Sequence, residues 1–215
     1  MTIVALPLLL LFGSMRVDFA PFVERSGCTH MFDIYYNCTA GPAFDLGCAQ
    51  LRNVRLLGGF GVPVAECHGS GLVDASGNAA FIRKEGVGYG VEGYYVRLLV
   101  ATPDGFEVVR DLDELRQRFA PVESEEEALS FAIAASGASL FDKSWKTPPG
   151  YRRVAERARP TDVVRRADGS FVVRNLLFDA SSSCLQGPYM LADIAVTRDG
   201  IVVGAAQGTT LATIP

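Results

Sequence analysis

The sequence predicts an α+β protein: antiparallel β-hairpins forming a sheet, with two short helices packed on one face. Three observations carry this. β-branched and aromatic runs recur in pairs around Asp-Gly turns. Two capped helical patterns stand between the first and second clear pairs. The regular strand–helix alternation that a parallel sheet requires does not occur.

The hairpins come first. YYVRLLVA (94–101) and FEVVR (106–110) flank Thr102-Pro103-Asp104-Gly105, where proline presets φ and glycine accepts a positive φ. TDVVRR and SFVVRNLLF flank Ala167-Asp168-Gly169, and MLADIAVT and IVVGAA flank Arg198-Asp199-Gly200. A turn at Asp74-Ala75-Ser76-Gly77 is expected to join GLV to AAFIR. The spacing of these turns is uneven, so no repeat architecture is inferred.

The helices follow from their caps. Asp111 caps DLDELRQRF, with Glu114 at the capping-box position and Leu112, Leu115 and Phe119 on one face; Pro121 ends it. Ser124 and Glu127 form a second S-x-x-E box at the head of EEEALSFAIAASG, and Gly137 supplies the stop. Glu125, Glu126 and Glu127 resemble a carboxylate cluster, but their place in a first helical turn accounts for them through the helix dipole.

Three regions result. Residues 1–20 are a candidate signal peptide or N-terminal apolar segment. Residues 21–92 are a Cys/Gly-rich region of loops and short strands, in which PAFDLG and GGFGVP are expected to have little regular structure. Residues 93–215 carry the antiparallel sheet, with helices at about 111–119 and 124–137, and are expected to form one compact domain with the preceding region.

The uncharged apolar run at 3–13 has the length of a signal-peptide core and is too short to span a bilayer, so no transmembrane segment is expected. It lacks a preceding basic residue, is followed by Arg16 and has no A-x-A-like cleavage site. The cysteine content agrees with export, giving a secreted or periplasmic protein; if the run instead belongs to the fold, the protein is cytoplasmic. No lipobox cysteine follows the run.

A net charge of −4 gives no general pull towards nucleic acid or anionic membrane, so neither partner is expected. The basic residues are nearly all arginine, a bias attributable to a G+C-rich genome rather than to phosphate recognition. Locally, residues 143–166 hold eight basic side chains against Glu156 and Asp162, whereas 111–127 hold seven acidic ones against Arg116 and Arg118. Arg152, Arg153, Arg157, Arg159, Arg165 and Arg166 thus form a candidate patch for a protein or an anionic envelope ligand, with Trp145 and Tyr151 for stacking. The alternative is that the two segments neutralise one another or are solvated.

The cysteines admit three readings. Cys28, Cys38, Cys48 and Cys67 are disulfide candidates, and Cys184 stands apart; the sequence selects no pairing. Cys28, His30, Cys67 and His68 are weak metal-ligand candidates, because the spacing matches no zinc module and neighbouring strand residues point to opposite faces. A thiol enzyme would draw on Cys67 or Cys184 with His30 or His68, which predicts a solvent-reachable, low-pKa cysteine. Structural staples are the favoured reading, and no cofactor is expected.

Other motifs fail on context. Gly88-Tyr89-Gly90-Val91-Glu92-Gly93 matches the dinucleotide fingerprint but leads into a strand-like run rather than a helix. His68-Gly69-Ser70-Gly71 lacks the leading glycine of a serine elbow. Asn37-Cys38-Thr39 is a glycosylation acceptor only in a eukaryotic source. The function expected is a non-enzymatic envelope or extracellular module; the alternatives are a small Cys/His hydrolase or thiol enzyme, and a metal-binding module.

Overall fold

A computed structural model describes residues 17–70, 81–85, 94–179, 187–204 and 208–214. The 3–13 run, the 74–77 turn, the 88–93 glycine motif and Cys184 lie outside the described residues. The α+β class expected from the sequence is the class observed, with the strands divided between two antiparallel sheets.

The first sheet is built from β1 (Thr29–Phe32), β2 (Tyr35–Asn37), β3 (Gln50–Arg52), β4 (Val64–Ser70), β5 (Arg83–Glu85), β6 (Tyr94–Thr102) and β7 (Gly105–Val109). Its order is β1-β2-β3-β4-β6, after which β5 and β7 share the far edge of β6, against its beginning and its end. The second sheet comprises β8 (Arg152–Arg153), β9 (Asp162–Arg165), β10 (Phe171–Asp179), β11 (Tyr189–Val196), β12 (Val202–Gly204) and β13 (Thr209–Thr213). It runs β8-β13-β11-β10-β9, with β12 on β11 beside β13. The Asp-Gly hairpins at 104, 168 and 199 all form, and Gly169 (φ +84°) and Gly200 (φ +78°) take the left-handed backbone the turns need.

Among the described residues four α-helices accompany the sheets: α1 (Ala20–Arg25), α2 (Pro42–Asp45), α3 (Leu112–Phe119) and α4 (Glu125–Ser136). The caps fall where the sequence puts them. Asp111 accepts from the Glu114 amide, and Ser124 and Glu127 form the reciprocal capping box. The expectation that PAFDLG and GGFGVP lack regular structure is overturned, since PAFD makes the turn α2 and Arg55–Phe60 form a 3-10 helix. The physical reason is tertiary. Gly59 lets this helix lie against the backbone of α4, where a Cβ would stand 2.1 Å from the Glu126 carbonyl oxygen.

Burial sorts the apolar residues into three groups. The largest lies between the sheets around α4, with Leu98 and Val100 from one sheet, Phe171, Val173, Ile194 and Val196 from the other, and Leu129 and Ile133 from the helix. A second backs the first sheet, where Phe19, Phe22 and Ala43 of the N-terminal helical region cover Leu51, Ala65 and Leu99. The third backs the second sheet, where Phe141, Leu177, Leu191 and Leu211 lie under half-buried Trp145, Ala155, Ala158 and Tyr189. Alternation along β10 changes face at a bulge between Val173 and Leu176, where Asn175 takes φ +54°.

Candidate functional site

The four described cysteines form two disulfides, Cys28–Cys38 and Cys48–Cys67. The first closes the β1–β2 hairpin just outside the Thr29–Asn37 pair. The second ties Cys48, three residues past the end of α2, to the middle of β4, within the second apolar group. Each closes a loop short enough to contribute about 3 kcal/mol by restricting the unfolded chain. Cys67 and Cys28 are thereby engaged as half-cystines rather than thiolates.

Cys67 and His68 do face opposite sides of β4. Cys67 joins the second apolar group, whereas His68 Nε2 stands 3.2 Å from Glu66 Oε2 on the other face. His30 is exposed on β1, within 3.2 Å of the Asp33 carbonyl and edge-on to Tyr36. Three strand spacings separate β1 from β4, about 14 Å, so the two histidines are too far apart to hold one ion. No group of three or more His, Cys, Asp or Glu suited to a metal occurs among the described residues.

Sequence reasoning missed a buried charge network on the inner face of the first sheet. Glu66 is fully buried, with Arg52 Nε at 2.7 Å, Arg83 Nη2 at 2.5 Å and His68 at 3.2 Å. Arg83 also donates to the carbonyl of Ala134, on the last turns of α4. Burial is the largest influence on the Glu66 carboxyl and would raise its pKa. The Arg83 charge, the His68 hydrogen bond and the Arg52 charge outweigh it, lowering the carboxyl from 4.5 to about 2. Such a group is a poor proton acceptor at neutral pH, and its geometric effect is to bind β3, β4, β5 and α4 together. The available signal was the presence of Glu66, Arg83 and Arg97 inside apolar strand runs, all of them now buried.

The arginine segment covers the outer face of the second sheet. The Val154 and Ala155 amides both donate to the Leu211 carbonyl, pinning the segment to β13. Beneath it opens a hollow of about 590 Å³ between residues 154–159 and strands β10, β11 and β13. The structure divides the six candidate arginines. Arg153 stacks over Phe141 and Trp145 and donates to the Ala155 carbonyl; Arg165 stacks on Phe171. Arg152 and Arg166 are exposed and stand outside the hollow, while Arg157 and Arg159 line it. Tyr151 and Trp145 both pack on Tyr189 rather than standing free.

The acidic segment 111–127 does not neutralise these arginines. Its carboxylates pair with Arg110, Arg116 and Arg198, and among the described residues none reaches 143–166. Neither Arg157 nor Arg159 makes an ion pair, hydrogen bond or ring contact with any described residue.

The chain matches no family model, no curated protein and no solved structure. No helix among the described residues is long and apolar enough to cross a membrane.

Proposed function

We propose that the protein is a non-enzymatic binding module of an oxidising, extracytoplasmic compartment, secreted or periplasmic. The observation that carries this reading is the pair of disulfides, which engages all four cysteines of the N-terminal third. Such bonds persist where thiols are not kept reduced. The site chemistry agrees. The two histidines stand apart, the most perturbed carboxyl is locked in an ion network, and Cys67, the thiol next to a histidine, is bonded to Cys48. The apolar run at 3–13 fits export by its length.

The test is the intact mass of natively produced protein, alkylated with and without prior reduction. The expected result is one alkylated thiol before reduction, five after it, and a mass lacking the N-terminal apolar run. Five alkylated thiols without reduction on a full-length chain would place the protein in a reducing compartment and end this reading.

A further inference from the structure

Resting on the binding-module reading, we infer that the hollow beneath residues 154–159 takes an anionic saccharide unit, its acid group held by Arg157 and Arg159. The hollow's size suits a ligand of one to a few rings, within the range of about 300–1,000 Å³ usual for small-ligand sites. Its apolar lining, Leu191 of β11 with Ala155 and Ala158 of the covering segment, suits the carbon face of a pyranose.

The two guanidiniums are uncompensated by described residues, and each presents a planar fork that matches a carboxylate or sulfate. The same wall also carries Glu156, with Asn175 and Thr209 on the strands opposite. A carboxylate there repels closely spaced phosphates but accepts hydrogen bonds from hydroxyl groups, so the lining suits a ligand that mixes one negative charge with several hydroxyls. A bare phosphodiester chain answers this pattern poorly.

The framework is preformed. Asn175 is held at its bulge by the Asp193 carboxylate, which accepts from its amide at 3.0 Å, and by Thr161, whose hydroxyl donates to its carbonyl at 2.8 Å. The covering segment is pinned to β13 by its backbone. Arg153, committed to Phe141 and Trp145, braces the segment rather than facing a ligand.

The experiment is calorimetric titration of the whole protein with a galacturonate oligosaccharide, a sulfated disaccharide, a neutral oligosaccharide and single-stranded DNA, at about 0.15 M salt. Binding of either acidic sugar with none of the neutral one is expected, and the two acidic arms decide between carboxylate and sulfate. The double variant Arg157→Ser/Arg159→Ser is expected to weaken that binding by at least about tenfold, whereas Arg165→Ser/Arg166→Ser leaves it unchanged. Circular dichroism and melting of both variants should match the parent. Two results would overturn the inference: no acidic sugar bound, or DNA bound as well and both variants equally impaired, which describes a diffuse basic surface. Either leaves the compartment and module reading intact, since that stands or falls on the alkylation result.

Discussion

Glu66 and Arg83 meet across the full width of a strand: β6 runs between β4 and β5, yet the Arg83 guanidinium reaches over it to the Glu66 carboxylate. The same guanidinium donates to Ala134, so one side chain joins the sheet to the end of α4. Arg52 approaches Glu66 from the opposite side, on β3. A wholly buried carboxylate is tolerable here because its oxygens are surrounded by donors, and removing either sign leaves the other stranded.

The pH dependence follows from the direction of the shift. The folded-state carboxyl titrates at about 2 against an ordinary 4.5, so between those values the unfolded chain binds the extra proton. The contribution is complete above about pH 4.5 and is lost as pH falls towards 2, amounting to roughly 3 kcal/mol over that window. Denaturant melts from pH 7 to pH 2.5 should show this loss in the parent. Glu66→Gln should be destabilised at pH 7 by about 3–5 kcal/mol, because the arginines beside it lose their carboxylate. Its stability should also lack the Glu66 share of the acid slope. An unchanged slope would place the acid sensitivity elsewhere.

Gly59 is fixed by a different constraint. Its amide donates to Ser130 Oγ at 3.0 Å, and that hydroxyl donates to the Leu56 carbonyl at 2.8 Å, clamping the 3-10 helix to α4. A Cβ at this position meets helix backbone, which cannot swing aside. Gly59→Ala should cost about 2–3 kcal/mol through overpacking. Gly61, two residues on, has open space around its Cβ position and a φ of +69°, so Gly61→Ala should cost only the backbone term of about 1 kcal/mol. Urea unfolding of the pair separates the two mechanisms, and equal losses would refute the close-approach argument.

The features readable from the sequence are those decided within a few residues. Ser124 and Glu127 announce the start of α4, and the Asp-Gly turns announce three hairpins, because each is a local hydrogen-bond or φ requirement. The division into two sheets was not readable, because a hairpin does not specify which face of which neighbour it will cover. Nor was the Cys48–Cys67 pairing, which depends on β3 bringing the end of α2 alongside β4. The arginine segment was visible as charge, but charge alone could not separate Arg153, stacked on Trp145, from Arg157 and Arg159 at the hollow. Glu66 is the sharpest case: its arginine partners lie 14 residues before and 17 after it, and only the sheet register assembles them.

The two disulfides should differ in access. Cys38, Cys48 and Cys67 are buried in the apolar group behind the first sheet, whereas Cys28, the partner of Cys38, is half-buried at the foot of a hairpin whose first strand is exposed throughout. Exchange requires an attacking thiolate to reach a sulfur. Graded reduction of the native protein, quenched by alkylation and mapped by peptide mass, should therefore open Cys28–Cys38 first. The double variant Cys48→Ala/Cys67→Ala should lose about 3 kcal/mol or more, since it removes both the cross-link and packed sulfur atoms. Opening of Cys48–Cys67 first would mean that its cover of α1 and α2 gives way under native conditions.

Thr161 connects the stability of the second sheet to the hollow on its outer face. Its side chain is buried; the hydroxyl accepts from the Phe141 amide at 2.8 Å and donates to the Asn175 carbonyl at 2.8 Å. Valine has the same shape without the hydroxyl, so Thr161→Val leaves a backbone donor and a backbone acceptor unsatisfied together. The expected loss is about 2–3 kcal/mol by chemical denaturation. Thr161→Ser keeps the hydroxyl and should recover most of it. Because the freed carbonyl belongs to the bulge residue that lines the hollow, Thr161→Val should also weaken acidic-saccharide binding under conditions where the variant remains folded, with serine restoring it. Full stability loss with unaltered binding would show that the bulge holds its shape without Thr161, through Asp193 and Pro160.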